Sequence, residues 1–111
     1  MRKQKIYVSG AIAHHDIGER RMAFESCASF CELCGFEAVN PFENKFWKQG
    51  RGMSADWREH MKEDLRMLLE CDAICMMDGW EGSKGCKLEL DVASSCGLTV
   101  YYETSVRAMR I

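Results

Sequence analysis

At 111 residues, with 47% hydrophobic content and a single proline, the chain is long enough for one hydrophobic core and too apolar to be disordered. A formal net charge of −2 excludes the strongly basic surface by which proteins hold nucleic acid or an anionic membrane. No apolar run approaches the roughly 20 residues that span a bilayer, and too few apolar residues follow the basic start, MRKQK, for a signal peptide. Seven cysteines without an export signal are read as reduced thiols, so a single cytoplasmic domain over 1–111 is expected.

The first predicted strand is Lys5 to Ser9, closed by Gly10. A loop, AIAHHDIG, leads into a helix over about 19–34 that Gly35 stops. Cys27, Cys31 and Cys34 have the CxxxCxxC spacing of a four-iron cluster loop. They lie, however, at the core-facing spacing of that helix together with Phe24 and Ala28, where cysteine acts as a small hydrophobe. They are read as packing. A short second strand over 36–39 ends at Asn40-Pro41.

Residues 41–55 show no clean period, and connectors of that length are often lids or mobile segments. Asp56 and Glu59 have capping-box spacing and open a second helix over about 57–70, with Trp57, Met61, Leu65 and Leu68 as its apolar stripe. Asp64 sits inside that stripe. The third strand, over 73–78, is followed by a Gly- and Ser-containing turn and a helix that begins near Lys84. Glu89 shares a face of this helix with Val92, Ala93 and Cys96, the face expected to pack on the sheet. The fourth strand covers 98–102, and 103–111 is left as a tail of no assigned structure.

Strands alternating with helices predict a parallel, doubly wound sheet of about four strands. Ligands of such sheets sit beyond the carboxyl ends of the strands. Those ends present the loops 9–16, 40–55 and 78–84, and residues 102–105 after the last strand. Two consecutive helices each carry one carboxylate in the middle of an apolar face. A buried charge is costly unless it is paired or has a task. The pair Asp64 and Glu89 is therefore either a site or a buried hydrogen-bonded duo.

Three pieces of the chain, KIYVSG, EDLRMLLECDAI and GSKGCKLELDVASSCGLTV, together resemble the nucleoside 2-deoxyribosyltransferase family, which includes the 2'-deoxynucleoside 5'-monophosphate N-glycosidases. The last piece has the family's Ser, a Gly two residues on, and a Glu six residues after the Ser. The resemblance covers most of the chain, with 41–55 its least certain part. It implies a small flavodoxin-like or Rossmann-like three-layer fold acting on a small-molecule nucleoside or nucleotide, without cofactor or metal. It also implies a homodimer or higher oligomer whose sites are completed by a neighbouring copy. Carried over by position, Glu89 is the nucleophile, Asp64 the acid that helps the base depart, and Tyr7 the residue that orients Glu89. Ser83 and Gly85 form the turn that approaches the sugar or its 5' substituent, and Gly10 closes the first strand beside it. Asp72 and Asp78 flank the third strand, where some relatives carry acidic residues, and Asp78 is taken as substrate-binding. Phosphate-binding relatives have a serine and an arginine where this chain has Ala11 and Ala13; His14, His15 and Asp16 follow, with His14 a substrate-edge candidate.

The chemistry fits those residue types. Cleavage of an N-glycosidic bond passes through an oxocarbenium-like state that a carboxylate stabilises and traps. Burial is expected to raise the pKa of Asp64, as a general acid requires. Phe42, Phe46, Trp47 and Trp57 are candidates to stack a base, with core packing an equal alternative for Phe42 and Trp57. Two functions remain open: an enzyme that cleaves or exchanges the base of a deoxynucleoside or its monophosphate, and a non-catalytic nucleoside- or nucleotide-binding sensor on the same fold.

Overall fold

Strand β1 (Lys5–Ser9) is the reference for the whole molecule: Ile6, Tyr7, Val8 and Ser9 are all fully buried. A strand buried on both sides must be covered by a layer on each face. In the computed structural model, which describes residues 2–109, β1 lies inside a four-stranded, all-parallel sheet. Its neighbours are β2 (Glu37–Val39) and β3 (Ala73–Met76), and β4 (Thr99–Tyr102) completes the order β2-β1-β3-β4. The registers are regular, Tyr7 opposite Val39 and Ile74, and Ile74 opposite Val100. This is the predicted α/β architecture.

The period of two along β1 assigns its side chains to two cores. Ile6 and Val8 join Phe24, Cys27, Cys31, Phe36, Phe42, Ala73, Cys75, Met77 and Val106 on one face. That face is covered by α1 (Ile17–Leu33) and, at the end of the chain, α5 (Glu103–Ala108). Tyr7 joins Leu68, Cys71, Ile74, Met76, Cys86 and Ala93 on the other face. There α3 (Trp57–Leu69) and α4 (Lys84–Ser95) pack side by side. Among the described residues no helix is long and apolar enough to cross a membrane.

Several boundaries move for identifiable reasons. Helix α1 starts two residues earlier than expected because the Asp16 carboxylate caps it, accepting from Glu19 N at 3.4 Å. The third strand stops at Met76, and Met77 N bonds Ser9 O at 2.8 Å before the chain turns through the left-handed Gly79. The unassigned tail folds as α5, held by buried Val106 and Glu103; Arg110 and Ile111 lie outside the described residues. Cys96 is exposed rather than sheet-facing, because α4 ends at Ser95 and Cys96 is only its C-cap. Trp57 is 39% exposed rather than core, since the first residue of α3 overhangs the end of the sheet. The capping box is present as predicted, with Glu59 N to Asp56 Oδ1 at 2.8 Å and Asp56 N to Glu59 Oε1 at 3.2 Å.

Cys27 and Cys31 are buried in the first core, and the sulfur beside them is that of Cys75 on β3, 3.8 Å from Cys27. Cys34 packs half-buried against the same core but apart from that group, its Sγ 3.5 Å from Val106 O. The CxxxCxxC spacing thus does not gather its own three thiols.

Candidate active site

Side-chain alternation on β1 places Tyr7 and Ser9 on the same face, directed at α4. Both donate to one carboxylate: Tyr7 Oη to Glu89 Oε2 and Ser9 Oγ to Glu89 Oε1, each at 2.7 Å. Glu89 is 5% exposed and lies in the second turn of α4, whose N-terminus is capped by Ser83 Oγ accepting from Cys86 N at 3.2 Å. Burial pushes the Glu89 carboxyl up to about 7; the Ser9 and Tyr7 hydrogen bonds oppose this, and the Asp64 charge adds to it. Burial, with the charge of Glu89 next, holds the Tyr7 phenol well above its usual range, so it stays a donor.

Asp64 comes from the middle of α3. Burial again pushes its carboxyl up to about 7, opposed by a hydrogen bond from Asn44 and assisted by the neighbouring Glu63 charge. Asn44 Nδ2 donates to Asp64 Oδ1 at 2.8 Å and lies 3.1 Å from His60 Nδ1. His60 Nε2 in turn is 2.8 Å from Gly52 O. Segment 41–55 is therefore ordered: a 3-10 turn, Pro41–Glu43, leads into α2 (Lys45–Lys48), which Asn44 caps. The Arg21 guanidinium of α1 sits 4.8 Å from the Phe42 ring and 4.9 Å from the Trp47 ring, which fastens the segment from the other side.

Glu89 and Asp64 open into one cavity of about 320 Å³ at the carboxyl ends of the strands, the size of a small-molecule site. Its walls are the loop after β1 (Gly10, Ile12 and Ala13 to His15), the 41–55 segment (Pro41, Trp47, Gly52, Met53, Ala55), one end of α3 (Trp57, His60, Met61) and the N-terminus of α4 (Ser83, Gly85, Cys86). Gly10 is closely packed: a Cβ there would lie 2.5 Å from Met77 Sδ and 2.9 Å from Phe24 Cζ, so these side chains would have to shift. At Gly85 a Cβ would approach Met61 Sδ to 3.2 Å. His14 is exposed with φ +68°, an uncommon backbone conformation for a non-glycine residue, and it lines the cavity with His15. Lys84 Nζ stands 4.6 Å from the centre of the exposed Trp57 ring at the same rim.

The structure brings Tyr7, Gly10, His14, Asp64, Ser83, Gly85 and Glu89 to one cavity. Asp78 is not there. Its carboxylate accepts from Thr104 Oγ1 at 3.3 Å, because the third strand ends early and the turn carries Asp78 toward α5. Asp72 lies at the opposite end of the sheet, held by Arg2 at 3.1 Å and by Lys5 N at 2.8 Å, and Asp16 caps α1. Of the aromatic candidates, Phe42 and Phe46 are buried, while Trp47 and Trp57 line the cavity.

Ser9, Asn44 and His60 are site residues whose roles the sequence did not give. Ser9 with Gly10 has the place of a phosphate turn after a strand, but its hydroxyl is spent on Glu89. The roles of Asn44 and His60 were out of reach, because nothing local tells where an aperiodic segment folds back. Among the described residues, the one group of three His, Cys, Asp or Glu side chains close enough to share a metal is Cys27, Cys31 and Cys75, with sulfurs within 4.8 Å of one another. They are shut into the apolar core on the far face of the sheet from Glu89.

Family comparison bears on the whole of this unit, because the match runs from Gln4, just before β1, to Tyr102, the end of β4. The chain belongs to the family described as domain of unknown function DUF4406. No curated protein matches it. In this DUF4406 chain the matched residues, 4–102, include every polar group of the cavity named above. Burial pushes both of the cavity's carboxyls, Asp64 and Glu89, above the ordinary carboxylate range.

Proposed function

We propose that this chain cleaves or transfers the N-glycosidic bond of a 2'-deoxyribonucleoside or its 5'-monophosphate. Glu89 attacks the anomeric carbon and forms a covalent glycosyl-enzyme, as in the nucleoside 2-deoxyribosyltransferase family that its motifs resemble. Asp64, protonated, gives its proton to the departing base; water or a second base then bonds to the anomeric carbon, the bond to Glu89 breaks, and Asp64 takes back the proton that the attacking group loses. Tyr7 and Ser9 aim the Glu89 carboxylate and stabilise its charge when it is the leaving group of the second step. The exposed Trp57 ring and the Trp47 edge offer a wall for a base, and Ser83 and Gly85 a wall for the sugar.

The observation that carries this reading is the pair of buried carboxyls, Asp64 and Glu89, facing one cavity with two hydroxyl donors on Glu89. A binding module has no use for a carboxylate aimed at an anomeric carbon, so a trapped glycosyl-enzyme separates the two readings. The reading includes an assembly of at least two copies that completes the open side of the cavity.

The test is incubation with a panel of deoxynucleosides and their 5'-monophosphates, following free base by chromatography. Turnover is expected for at least one member, with a fall of at least about a thousandfold in Glu89→Gln and a mass increase of one deoxyribosyl unit trapped on wild type. Absence of free base across the panel, or full turnover by a folded Glu89→Gln protein, sinks the mechanism.

A further inference from the structure

Asp64 has two carboxyl oxygens, and the fold treats them differently. Oδ1 receives the Asn44 amide at 2.8 Å, whereas Oδ2 has no hydrogen-bond partner among the described residues. No buried side-chain nitrogen or oxygen lacks a partner among those residues, so Oδ2 is not sealed in; it is open to the cavity that Asp64 lines. We propose that Asn44 is a positioning residue: by occupying Oδ1 it directs the transferable proton of Asp64 to Oδ2, facing the cavity.

The orientation of the Asn44 amide follows from chemistry. Its Oδ1 accepts from Phe46 N at 3.0 Å and from Trp47 N at 3.2 Å, as the N-cap of α2. A flipped amide would set its NH2 against two N–H donors, so Nδ2 must face Asp64 and His60. With both of its N–H groups committed, Nδ2 needs an acceptor at His60 Nδ1. That fixes the histidine tautomer with its proton on Nε2, donated to Gly52 O at 2.8 Å. Asn44 is 2% exposed and has no slack to serve Asp64 in another way. An acid that gives its proton to a ligand must carry it on the oxygen that reaches the ligand. The better acceptor in a neutral carboxyl is the carbonyl oxygen, and the Asn44 donor selects Oδ1 for that role.

The same contact couples the acid to the 41–55 segment. Asn44 and Gly52 are both fastened to His60, so the stretch from 44 to 52 is pinned near each end to the helix that carries Asp64. If the segment lifts, Oδ1 loses its donor and the proton is no longer directed. The charged and titratable groups around Asp64 are few. Tyr7 comes from β1 and Glu89 from α4; His60 and Glu63 are on α3 itself, and Glu63 is paired with Arg66 and lies 3.9 Å from Lys45 of α2. Asn44 is the neutral group among them that donates directly to the carboxyl.

This inference takes the acid role of Asp64 from the proposed reaction, but its test needs no turnover. The Asp64 side-chain carbon of the free protein is titrated by NMR in wild type, Asn44→Ser and Asn44→Asp. Serine keeps the helix cap and is too short to reach Asp64; aspartate keeps the cap and replaces the donor by a like charge. Expected midpoints rise by about half a unit (roughly threefold in proton affinity) in Asn44→Ser and by about one unit or more in Asn44→Asp. In wild type the two Asn44 amide protons should shift with the Asp64 midpoint. Superimposable Asp64 titrations in folded variants would overturn the proposal, as would an Asn44 amide signal blind to that midpoint, a readout that stands even if a variant fails to fold. An inactive protein that shows the predicted titrations would instead refute the reaction and leave the positioning role standing.

Discussion

Replacing Glu89 by glutamine should stabilise the protein at alkaline pH. The Glu89 carboxyl has its pKa raised from 4.5 to about 7 in the fold, chiefly by burial. A raised carboxyl pKa means that the folded state holds a proton which the unfolded chain has already released. The stabilising contribution is therefore complete below pH about 4.5, declines as pH rises, and is gone above about 7. At about 1.36 kcal/mol per unit, the loss is roughly 3 kcal/mol for Glu89 alone, a large share of the 5–15 kcal/mol typical of small domains. Glutamine has nearly the same volume and never ionises. The Ser9 or Tyr7 hydroxyl, each now 2.7 Å from a carboxylate oxygen, rotates to accept from the new amide. Asp64 is raised in both proteins, and its charge is only the last of the causes that shift Glu89. Urea unfolding followed by tryptophan fluorescence, at fixed protein concentration, measures both proteins at pH 5 and pH 8. The variant should gain about 2–3 kcal/mol on wild type between those two pH values, while losing activity. A variant whose stability parallels that of wild type over the range would refute the claim that burial raises the Glu89 carboxyl above its ordinary range.

Two further outcomes are expected, the first from the geometry and the second from the proposed function. Gly52→Ala would drive a methyl group into the Trp47 ring, so the 41–55 segment should unseat at a cost of about 1–3 kcal/mol, with faster proteolysis between 45 and 55 and an unaltered sheet. The proposed assembly should give at least a dimer by light scattering at working concentrations, with Tyr101 and the exposed Tyr102 near the shared edge; a monomer with full activity refutes it.

What the sequence determined by itself was the part that depends on local period. Lys5–Ser9 and Ala73–Met76 are short apolar runs, and the helices between the strands are amphipathic, so a parallel sheet with both faces covered follows from the pattern. Burial of Asp64 and Glu89 was legible for the same reason: each interrupts an apolar stripe whose neighbours had to face the core. Even Ser9 is placed by alternation. The rest belongs to contacts between residues far apart in the chain. Asp78 and Ser83 are five residues apart in one turn, yet the turn sends Asp78 to Thr104 and Ser83 to the cavity, a division set by where the third strand stops pairing. Cys27, Cys31 and Cys34 pack as the helical period reads them, but that Cys75 is the sulfur beside Cys27 was not legible, since helix phase and strand register, not spacing, decide which sulfurs meet. The 41–55 segment carries no period at all. Its buried amide, Asn44, caps a helix locally through two backbone donors, but only the tertiary structure brings the histidine and the carboxylate, from 16 and 20 residues away, to the same point.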